Sequence, residues 1–183
     1  MTKEKKERIL KDVYKHIPET YEKYFKKYGK TRWPYNKFLM KVRNEYPLAV
    51  LNEESENLLF YLAFSTPKLI DDINYFKIGF WVFGKEISKD HSKRKSFLKD
   101  GINFLENKIL ENYQNSCLFL ETPLDFTPVV KFYEKYLGFE ICNNKNKIES
   151  ILESFGRKLK EIKEYSYTTE NTDIYHIILL KND

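Results

Sequence analysis

Apolar residues recur at helical spacing through the first part of the chain. Between residues 4 and 28 they fall three or four positions apart, which predicts an amphipathic helix that Pro18 breaks or kinks near His16. A second helix is predicted from about residue 34 to residue 43, with Pro34 in its first turn. Its apolar face consists of Phe38, Leu39 and Val42.

Apolar runs of strand length dominate the middle of the chain. Runs at 47–51, 58–65 and 75–83 predict three strands, and Asp71-Asp72 is typical of a turn. Strands and helices then alternate. The predicted elements are a helix over 96–112 with Ser96 as its cap, a strand over 117–121, a helix over 127–136, a strand over 139–142, a helix over 145–160 and a strand over 173–181.

This order favours an α/β (α+β) fold with a mixed, mostly antiparallel sheet and helices on both faces. Strands 75–83 and 116–121 should be adjacent and parallel, splayed at one end, because helix 96–112 supplies the crossover between them. We expect a single domain over residues 1–183. Within it, residues 1–45 form a basic helical segment and residues 46–183 form the core that contains the sheet.

Positive charge is concentrated at the start of the chain. Residues 1–43 hold 14 Lys and Arg against 5 Asp and Glu, a net charge of +9, whereas the whole chain carries +5 and the remainder therefore −4. A basic end of this kind attracts an acidic partner or nucleic acid. The alternative is a solvated helix face with no partner.

Other classes of protein are disfavoured by composition. No apolar run approaches the roughly 20 residues that span a bilayer, and the charged start lacks the apolar stretch of a signal peptide. Cys117 and Cys142 fall in predicted strands and have no metal-type spacing. We therefore expect a cytoplasmic protein without a metal, a disulfide framework or a membrane anchor.

One segment resembles a known family. Residues 116–141 contain a strand ending in Leu120-Glu121-Thr122, a helix ending in Phe132-Tyr133-Glu134-Lys135, and a strand start at Gly138-Phe139. This pattern resembles the C-terminal core of the GNAT superfamily of acyl-CoA-dependent N-acetyltransferases. The resemblance is close over 116–141 and loose over 47–181. It implies a GNAT-like fold and transfer of an acyl group from acetyl-CoA, or another acyl-CoA, to a small-molecule or protein amine.

The resemblance also implies a site. Tyr133 matches the tyrosine that protonates the leaving thiolate in the family, although a packed ring is the alternative. Independently of the resemblance, Glu121 at the end of its strand and Glu86 beyond the preceding strand are candidate general bases, directly or through water, and a solvated carboxylate is the alternative for each. The candidate cofactor-binding residues are Trp81, Val82 and Phe83 at a strand end and Lys93, Arg94, Lys95 and Ser96 at the predicted start of helix 96–112. His91, in the same basic run, is a further candidate for phosphate contact.

The chain also departs from the family pattern. The phosphate-binding loop of the family follows Arg/Gln-x-x-Gly-x-Gly/Ala, and residues 88–96 supply no such glycines. Phe126 stands where an Asn often contacts the pantetheine arm. The two N-terminal helices and helix 145–160 are additions. These differences keep a second hypothesis open, namely a GNAT-fold protein without catalysis that serves as a binding module.

Glyoxalase-type metal enzymes are a minor alternative. They also carry Phe-Tyr, four intervening residues and Gly-Phe, which is the spacing from Tyr133 to Gly138. They repeat a module of one strand, one helix and three strands, and they bind a metal through His and Glu. Here only His16, His91 and His176 are present, and a second module is not evident.

Overall fold

The computed structural model describes residues 2–29, 31–43, 45–123, 125–156, 162–163, 166–169 and 172–182. The chain divides into two compact units. The first unit comprises residues 1–65 and 79–101, and the second comprises residues 66–78 and 102–183. The elements are α1 Lys3–Thr20, α2 Glu22–Tyr28, α3 Tyr35–Val42, β1 Glu45–Leu51, β2 Leu58–Ser65, β3 Lys68–Ile70, β4 Ile73–Phe83, α4 Lys85–Ser88, α5 His91–Leu110, β5 Ser116–Pro123, α6 Thr127–Leu137, β6 Glu140–Ile141, α7 Lys145–Ser154, β7 Ile162–Lys163, β8 Ser166–Thr169 and β9 Thr172–Asn182.

The described strands form a mixed, mostly antiparallel sheet, as the order of elements predicted. Its strand order is β1-β2-β4-β5-β9-β8-β7, with β3 paired to β4 and β6 paired to β9. The β4–β5 pair is parallel. The other pairs whose register is described run antiparallel.

Helix α1 passes through Pro18. Of the predicted break or kink near His16, the break is wrong, because helical structure continues past the proline to Thr20. The interruption falls instead at Tyr21, where φ −105° and ψ 18° leave the helical region before α2 begins. Thr20 and Tyr21 therefore lie at the junction between α1 and α2.

In the first unit, helices pack on both faces of the strands. The apolar side of α1 and the α3 residues Phe38 and Val42 are buried against Tyr61 of β2 and against Phe80 and Val82 of β4. The preceding residue on β2, Phe60, points to the opposite face and contacts Phe97 of α5 at 6.2 Å between ring centroids. The predicted core residues Phe38 and Val42 of α3 are thus buried, whereas Leu39, predicted on the same face, is half-buried and packs against the same core.

Gly84 ends strand β4 in a close approach to β2. Its N–H donates to the Leu59 carbonyl at 2.9 Å. A Cβ at position 84 would stand 1.6 Å from the carbonyl oxygen of Leu58, so a side chain there would displace the strand. This contact sets the position of the short segment that leads into α5.

The second unit also has helices on both faces. Helix α7 buries Ile148, Ile151 and Leu152 against the β5 face that carries Cys117 and Phe119. On the other face, Phe76 of β4 contacts Tyr113 just beyond α5, at 5.1 Å between ring centroids. Helical spacing places four apolar residues on one face of α5, and all are buried: Leu98 in the first unit, and Ile102, Leu105 and Ile109 in the second.

Strands β4 and β5 are adjacent and parallel, as predicted. Residues 74–77 of β4 pair with residues 116–119 of β5, and the Asn74 N–H donates to the Asn115 carbonyl at 2.8 Å. The paired stretch covers only the first part of each strand, since β4 continues to Phe83 and β5 to Pro123. The later residues of β4 therefore find other partners.

Several boundaries differ from the sequence predictions. Strand β3 was not predicted, although the turn after it was: Asp71 and Asp72 both have positive φ, which matches a two-residue hairpin turn. Helix α5 begins at His91 rather than Ser96. Helix α7 ends at Ser154, and Leu159, predicted on its apolar face, lies outside the described residues.

Candidate functional site

The end of strand β4 carries the first group of candidate cofactor-binding residues. Because the Gly84 N–H is directed at β2, the alternation of a strand directs the N–H groups of Trp81 and Phe83 to the opposite edge. Both are engaged there: Trp81 N–H donates to the Tyr21 hydroxyl at 3.1 Å, and Phe83 N–H donates to Thr20 Oγ1 at 3.1 Å. Val82 is buried in the core of the first unit.

Tyr21 is fixed against this edge in two ways. Besides accepting the Trp81 N–H, its ring lies 6.4 Å from the Trp81 ring, centroid to centroid. Burial of the hydroxyl raises the pKa of Tyr21 well above its ordinary value, while the hydrogen bond from Trp81 opposes that rise. The hydroxyl thus remains neutral at physiological pH and caps the strand as an uncharged acceptor.

The segment between β4 and α5, where the family places its phosphate loop, has its own internal hydrogen bonds. The Gly84 carbonyl accepts the N–H groups of Ile87 and Ser88, and the Ile87 carbonyl accepts that of Asp90. The Asp90 carboxylate accepts the Lys93 N–H at 3.0 Å. A carboxylate therefore occupies the helix end that would otherwise favour a phosphate.

The basic run lies inside α5 rather than before it. The prediction that Ser96 caps this helix is wrong, because Asp90 supplies the side-chain acceptor further upstream. Arg94 packs over the Phe83 ring at 5.0 Å and donates to the Ser88 carbonyl at 3.5 Å. The others are exposed: Lys93 lies 3.9 Å from Asp90, Ser96 donates to Asp100 at 3.2 Å, and Lys95 is on the surface.

Glu121 forms an ion pair with Lys77. Glu121 Oε1 accepts from Lys77 Nζ, and the side chains are 9% and 21% exposed, respectively. Glu121 lies two positions beyond Phe119, the last β5 residue paired with β4, and Lys77 is the last β4 residue of that pairing. The carboxylate therefore sits, largely shielded from water, where the parallel ladder ends.

Tyr133 lies on the buried side of α6 in the second unit. Its exposure is 0%, and its ring contacts Phe132 at 6.0 Å and Phe139 at 5.7 Å between centroids. Its carbonyl accepts the N–H groups of Gly138 and Phe139, which closes the helix at a glycine with φ 71°. The fold thus holds Tyr133 tightly in both ring and backbone.

The weaker candidates lie on the surface. Glu86 is exposed at the start of α4 and accepts from the Asn52 side chain at 3.2 Å. His91 is exposed at the first position of α5. His176 lies in an apolar run, which predicts a core position for it, and this stays a prediction because its side chain lies outside the described side chains.

Four residues that contact the candidate residues were not predicted from the sequence: Thr20, Tyr21, Lys77 and Asp90. Thr20 and Lys77 carry no local signal, because their partners lie 63 and 44 positions away. Asp90 did carry one, since an Asp three residues before a basic helical stretch is a typical N-cap.

Two further observations concern a metal site and a membrane-spanning helix. Within the described ranges, no cluster of three or more His, Cys, Asp or Glu side chains is placed to hold a metal ion. In the same part of the chain, no helix combines the length and the apolar character needed to cross a bilayer.

Comparison with known proteins supports the fold. No protein-family model matches the chain, and no curated protein sequence matches it either. Solved structures do match. An N-acetyltransferase from Staphylococcus aureus is 16% identical with a TM-score of 0.57, over 96% of this chain and 92% of that one. An aminoglycoside 6'-acetyltransferase type Ii is 15% identical with a TM-score of 0.54, over 96% and 90%.

A further similar structure is the spermidine N-acetyltransferase from Vibrio cholerae in complex with CoA and spermine. It is 11% identical with a TM-score of 0.53, over 100% of this chain and 92% of that one. This chain therefore has the fold of the GNAT N-acetyltransferases, as residues 116–141 indicated. The glyoxalase-type alternative is set aside, since β6 leads into helix α7 and the similar folds are acetyltransferases.

The residues along the end of β4, near Trp81 and Phe83, do not form a preformed site for CoA. A cofactor lying along β4 would need the N–H groups that Thr20 and Tyr21 already accept. A phosphate at the start of α5 would meet the Asp90 carboxylate, and Arg94 is turned toward Phe83 and the Ser88 carbonyl. Binding there requires that these internal contacts be exchanged for contacts with the ligand.

Proposed function

We propose that the protein is a cytoplasmic N-acyltransferase that uses acetyl-CoA, or another acyl-CoA, to acylate an amine. The observation that carries the proposal is the GNAT fold with its parallel β4–β5 pairing, which ends where Lys77 and Glu121 meet. Acyl transfer needs a group that takes a proton from the amine and a group that protonates the leaving thiolate. Two buried side chains of the second unit are of the right type.

In this proposal Glu121 accepts the proton of the amine, directly or through water. Lys77 is a positioning residue, because its ammonium holds the Glu121 carboxylate in one orientation at the end of the ladder. Tyr133 is the proposed proton donor to the thiolate. Its complete burial keeps competing water away from the hydroxyl, and it requires that the bound ligand reach the α6 side chain.

The proposal also assigns a role to the edge of β4. Trp81 and Phe83 would offer their N–H groups to the acyl-CoA once Thr20 and Tyr21 release them, with Lys93 and Lys95 on the exposed side of α5 as phosphate partners. Each exchanged hydrogen bond is close to neutral in free energy, because one acceptor replaces another. The internal contacts would thus lower the affinity for the cofactor without abolishing it.

The test measures binding and chemistry separately. Titration calorimetry with CoA and acetyl-CoA should detect one site, and thiol release in the presence of a panel of polyamines, aminoglycosides and peptides with free N-termini should detect transfer. Glu121→Gln should remove transfer and leave CoA binding in place. Wild-type protein that binds no CoA at millimolar ligand would rule the proposal out.

A second candidate function is a GNAT-fold module without catalysis. It is favoured by the capped N–H groups of Trp81 and Phe83 and by the carboxylate at the start of α5. The two candidates separate on CoA binding. If neither wild-type protein nor the variant Thr20→Val with Tyr21→Phe binds CoA at millimolar ligand, the non-catalytic module is the better account.

A further inference from the structure

The segment from Lys23 to Arg43, which begins at the second residue of α2 and continues through the linker to the end of α3, has an extreme charge composition. It contains no Asp or Glu. Its basic residues are Lys23, Lys26, Lys27, Lys30, Arg32, Lys37, Lys41 and Arg43. We call the exposed side of residues 23–43 the α2–α3 surface.

On α1, several basic side chains form ion pairs with acidic ones. There Lys11 pairs with Glu7 at 3.0 Å, and Lys5 and Arg8 both pair with Glu56 at 3.1 and 2.6 Å. Residues 23–43, in contrast, carry eight basic residues and no acid of their own, and Lys26 pairs with Glu22 just outside the segment at 2.6 Å. The excess of +9 in residues 1–43 is therefore concentrated on the α2–α3 surface rather than spread along α1.

Aromatic rings are set among these cations and held in place. Trp33 is 42% exposed, and Lys41 Nζ lies 4.2 Å from its ring centroid. The Tyr14 hydroxyl donates to the Trp33 carbonyl at 2.7 Å, which fixes the linker. Arg32 stacks its guanidinium 4.5 Å over the Tyr14 ring. An indole and a guanidinium plane thus stand at the surface without needing to be ordered by a ligand.

From this arrangement we infer that the α2–α3 surface binds single-stranded nucleic acid. Lysine and arginine neutralise phosphates, and an exposed Trp or Arg plane stacks on unpaired bases. An acidic protein would satisfy the charges, but stacking on the Trp33 ring is a contact that unpaired bases add to charge neutralisation. A duplex keeps its base faces covered, so it cannot stack on Trp33. The inference is independent of the proposed transferase activity.

The test is fluorescence anisotropy with a labelled oligo(U) of about 16 nucleotides. This length is near the upper end of the site sizes of small domains that bind single strands. Wild-type protein should bind at low salt. Trp33→Ala should weaken binding roughly 5- to 150-fold, the loss expected for one stacked base, and Trp33→Phe should restore most of it. Because Trp81 is the only other tryptophan, quenching of Trp33 fluorescence in Trp81→Phe protein reports the stacking directly.

Charge reversal supplies a second, independent readout. Lys37 is exposed on α3, and Lys37→Glu should weaken binding. The salt dependence of log Kd should fall by about 0.7 for each phosphate that the variant no longer neutralises. Lys99→Glu, at an exposed position of α5, is the matched control and should leave both quantities nearly unchanged. Thermal melts of each variant establish that it is folded.

Four results would overturn the inference. They are no retention of oligo(U) at low salt, equal affinity for a duplex of the same length, equal competition by polyglutamate, and full binding by folded Trp33→Ala protein. Equal weakening in Lys99→Glu and in the α3 variant would also overturn it, because binding would then follow net charge rather than the α2–α3 surface.

Discussion

The two halves of strand β4 satisfy their backbone in different ways. In the ladder half, residues 73–78, the edge toward β5 is occupied by another strand, with Asn74 to Lys77 in register with Ser116 to Phe119. In the capped half, residues 79–83, the N–H groups of Trp81 and Phe83 on the edge away from β2 are accepted by the hydroxyls of Tyr21 and Thr20. One strand thus carries both a permanent and a replaceable set of partners.

The difference lies in what it takes to exchange the partners. A strand in a ladder is held along several residues at once, together with the side chains it buries, so it leaves only if the sheet opens. A side-chain hydroxyl gives one hydrogen bond of about 0.5–1.5 kcal/mol net and can be replaced by a ligand acceptor. The proposed function accordingly assigns the chemistry, which needs a fixed carboxylate, to the ladder half, and cofactor binding, which needs an adaptable edge, to the capped half.

The largest expected effect tests whether chemistry belongs to the ladder side. Tyr133→Phe removes one proton donor and little volume, so kcat should fall by about 10²–10⁴-fold with CoA affinity nearly unchanged. Tyr136→Phe, an exposed tyrosine on the same helix, is the control and should keep full activity. Steady-state kinetics decide the point, and a fully active Tyr133→Phe enzyme would refute the role.

The next effect separates positioning from stability. Lys77→Met leaves the Glu121 carboxylate without its ammonium and should lower the free energy of unfolding by about 1–3 kcal/mol, less than a fully buried pair because Lys77 is partly exposed. The matched control is Lys181→Met, since Lys181 pairs with Glu106 at 2.6 Å with similar burial. Both variants should melt at lower temperature.

Activity then distinguishes the two lysines. Only Lys77→Met should lower kcat, and Lys77→Arg should recover much of the activity because it keeps the charge. Equal effects of Lys77→Met and Lys181→Met on kcat would show that the Lys77–Glu121 pair acts through stability alone.

The third effect concerns the capped half. Thr20→Val with Tyr21→Phe removes both hydroxyl acceptors, which should lower the melting temperature by about 2–4 °C for each kcal/mol of stability removed. The same change should raise affinity for CoA roughly 5- to 30-fold, because the ligand no longer competes with the α1–α2 junction. Tyr24→Phe, one turn along α2, serves as control. Unchanged CoA affinity in the double variant would contradict the exchange.

The smallest effect concerns the anion at the start of α5. Asp90→Asn keeps an N-cap acceptor and removes the negative charge. Affinity for pyrophosphate or CoA should rise about 2- to 5-fold at low salt and less at high salt, as expected for a charge at a helix end. Asp100→Asn, further along the same helix, should change little. A decrease of affinity in Asp90→Asn would mean that the carboxylate assists binding.

Local pattern was enough to predict much of the fold. Strand β2 has the predicted bounds, β4 and β5 extend the predicted strands by a few residues, and the apolar faces of α1, α5 and α7 are buried as expected. These features depend on the spacing of apolar residues along a few turns or a few strand positions, which the backbone geometry converts directly into a buried face. The segment 116–141 indicated the fold for the same reason, since its strand, helix and glycine stop are consecutive.

The start of α5 shows where local pattern fails. Ser96 and Asp90 are both good N-cap residues. The run of polar and basic residues from 88 to 96 favoured a loop that ends at Ser96. In the structure Asp90 caps α5, since the helix begins at His91. This start places Arg94 within the helix, where it packs on the Phe83 ring.

The sequence by itself determined the order of the main helices and strands, the buried faces of α1, α5 and α7, the parallel β4–β5 pair and the basic character of residues 23–43, whereas β3 and the short helix α4 were not predicted. Only the tertiary structure decided that Tyr21 and Thr20 cap the end of β4 and that Lys77 meets Glu121. Those contacts join residues 44 to 63 positions apart, and each uses a polar group that water satisfies equally well in the unfolded chain. Nothing local selects such a partner, because the pairing exists only after the apolar core has brought the strands and helices together.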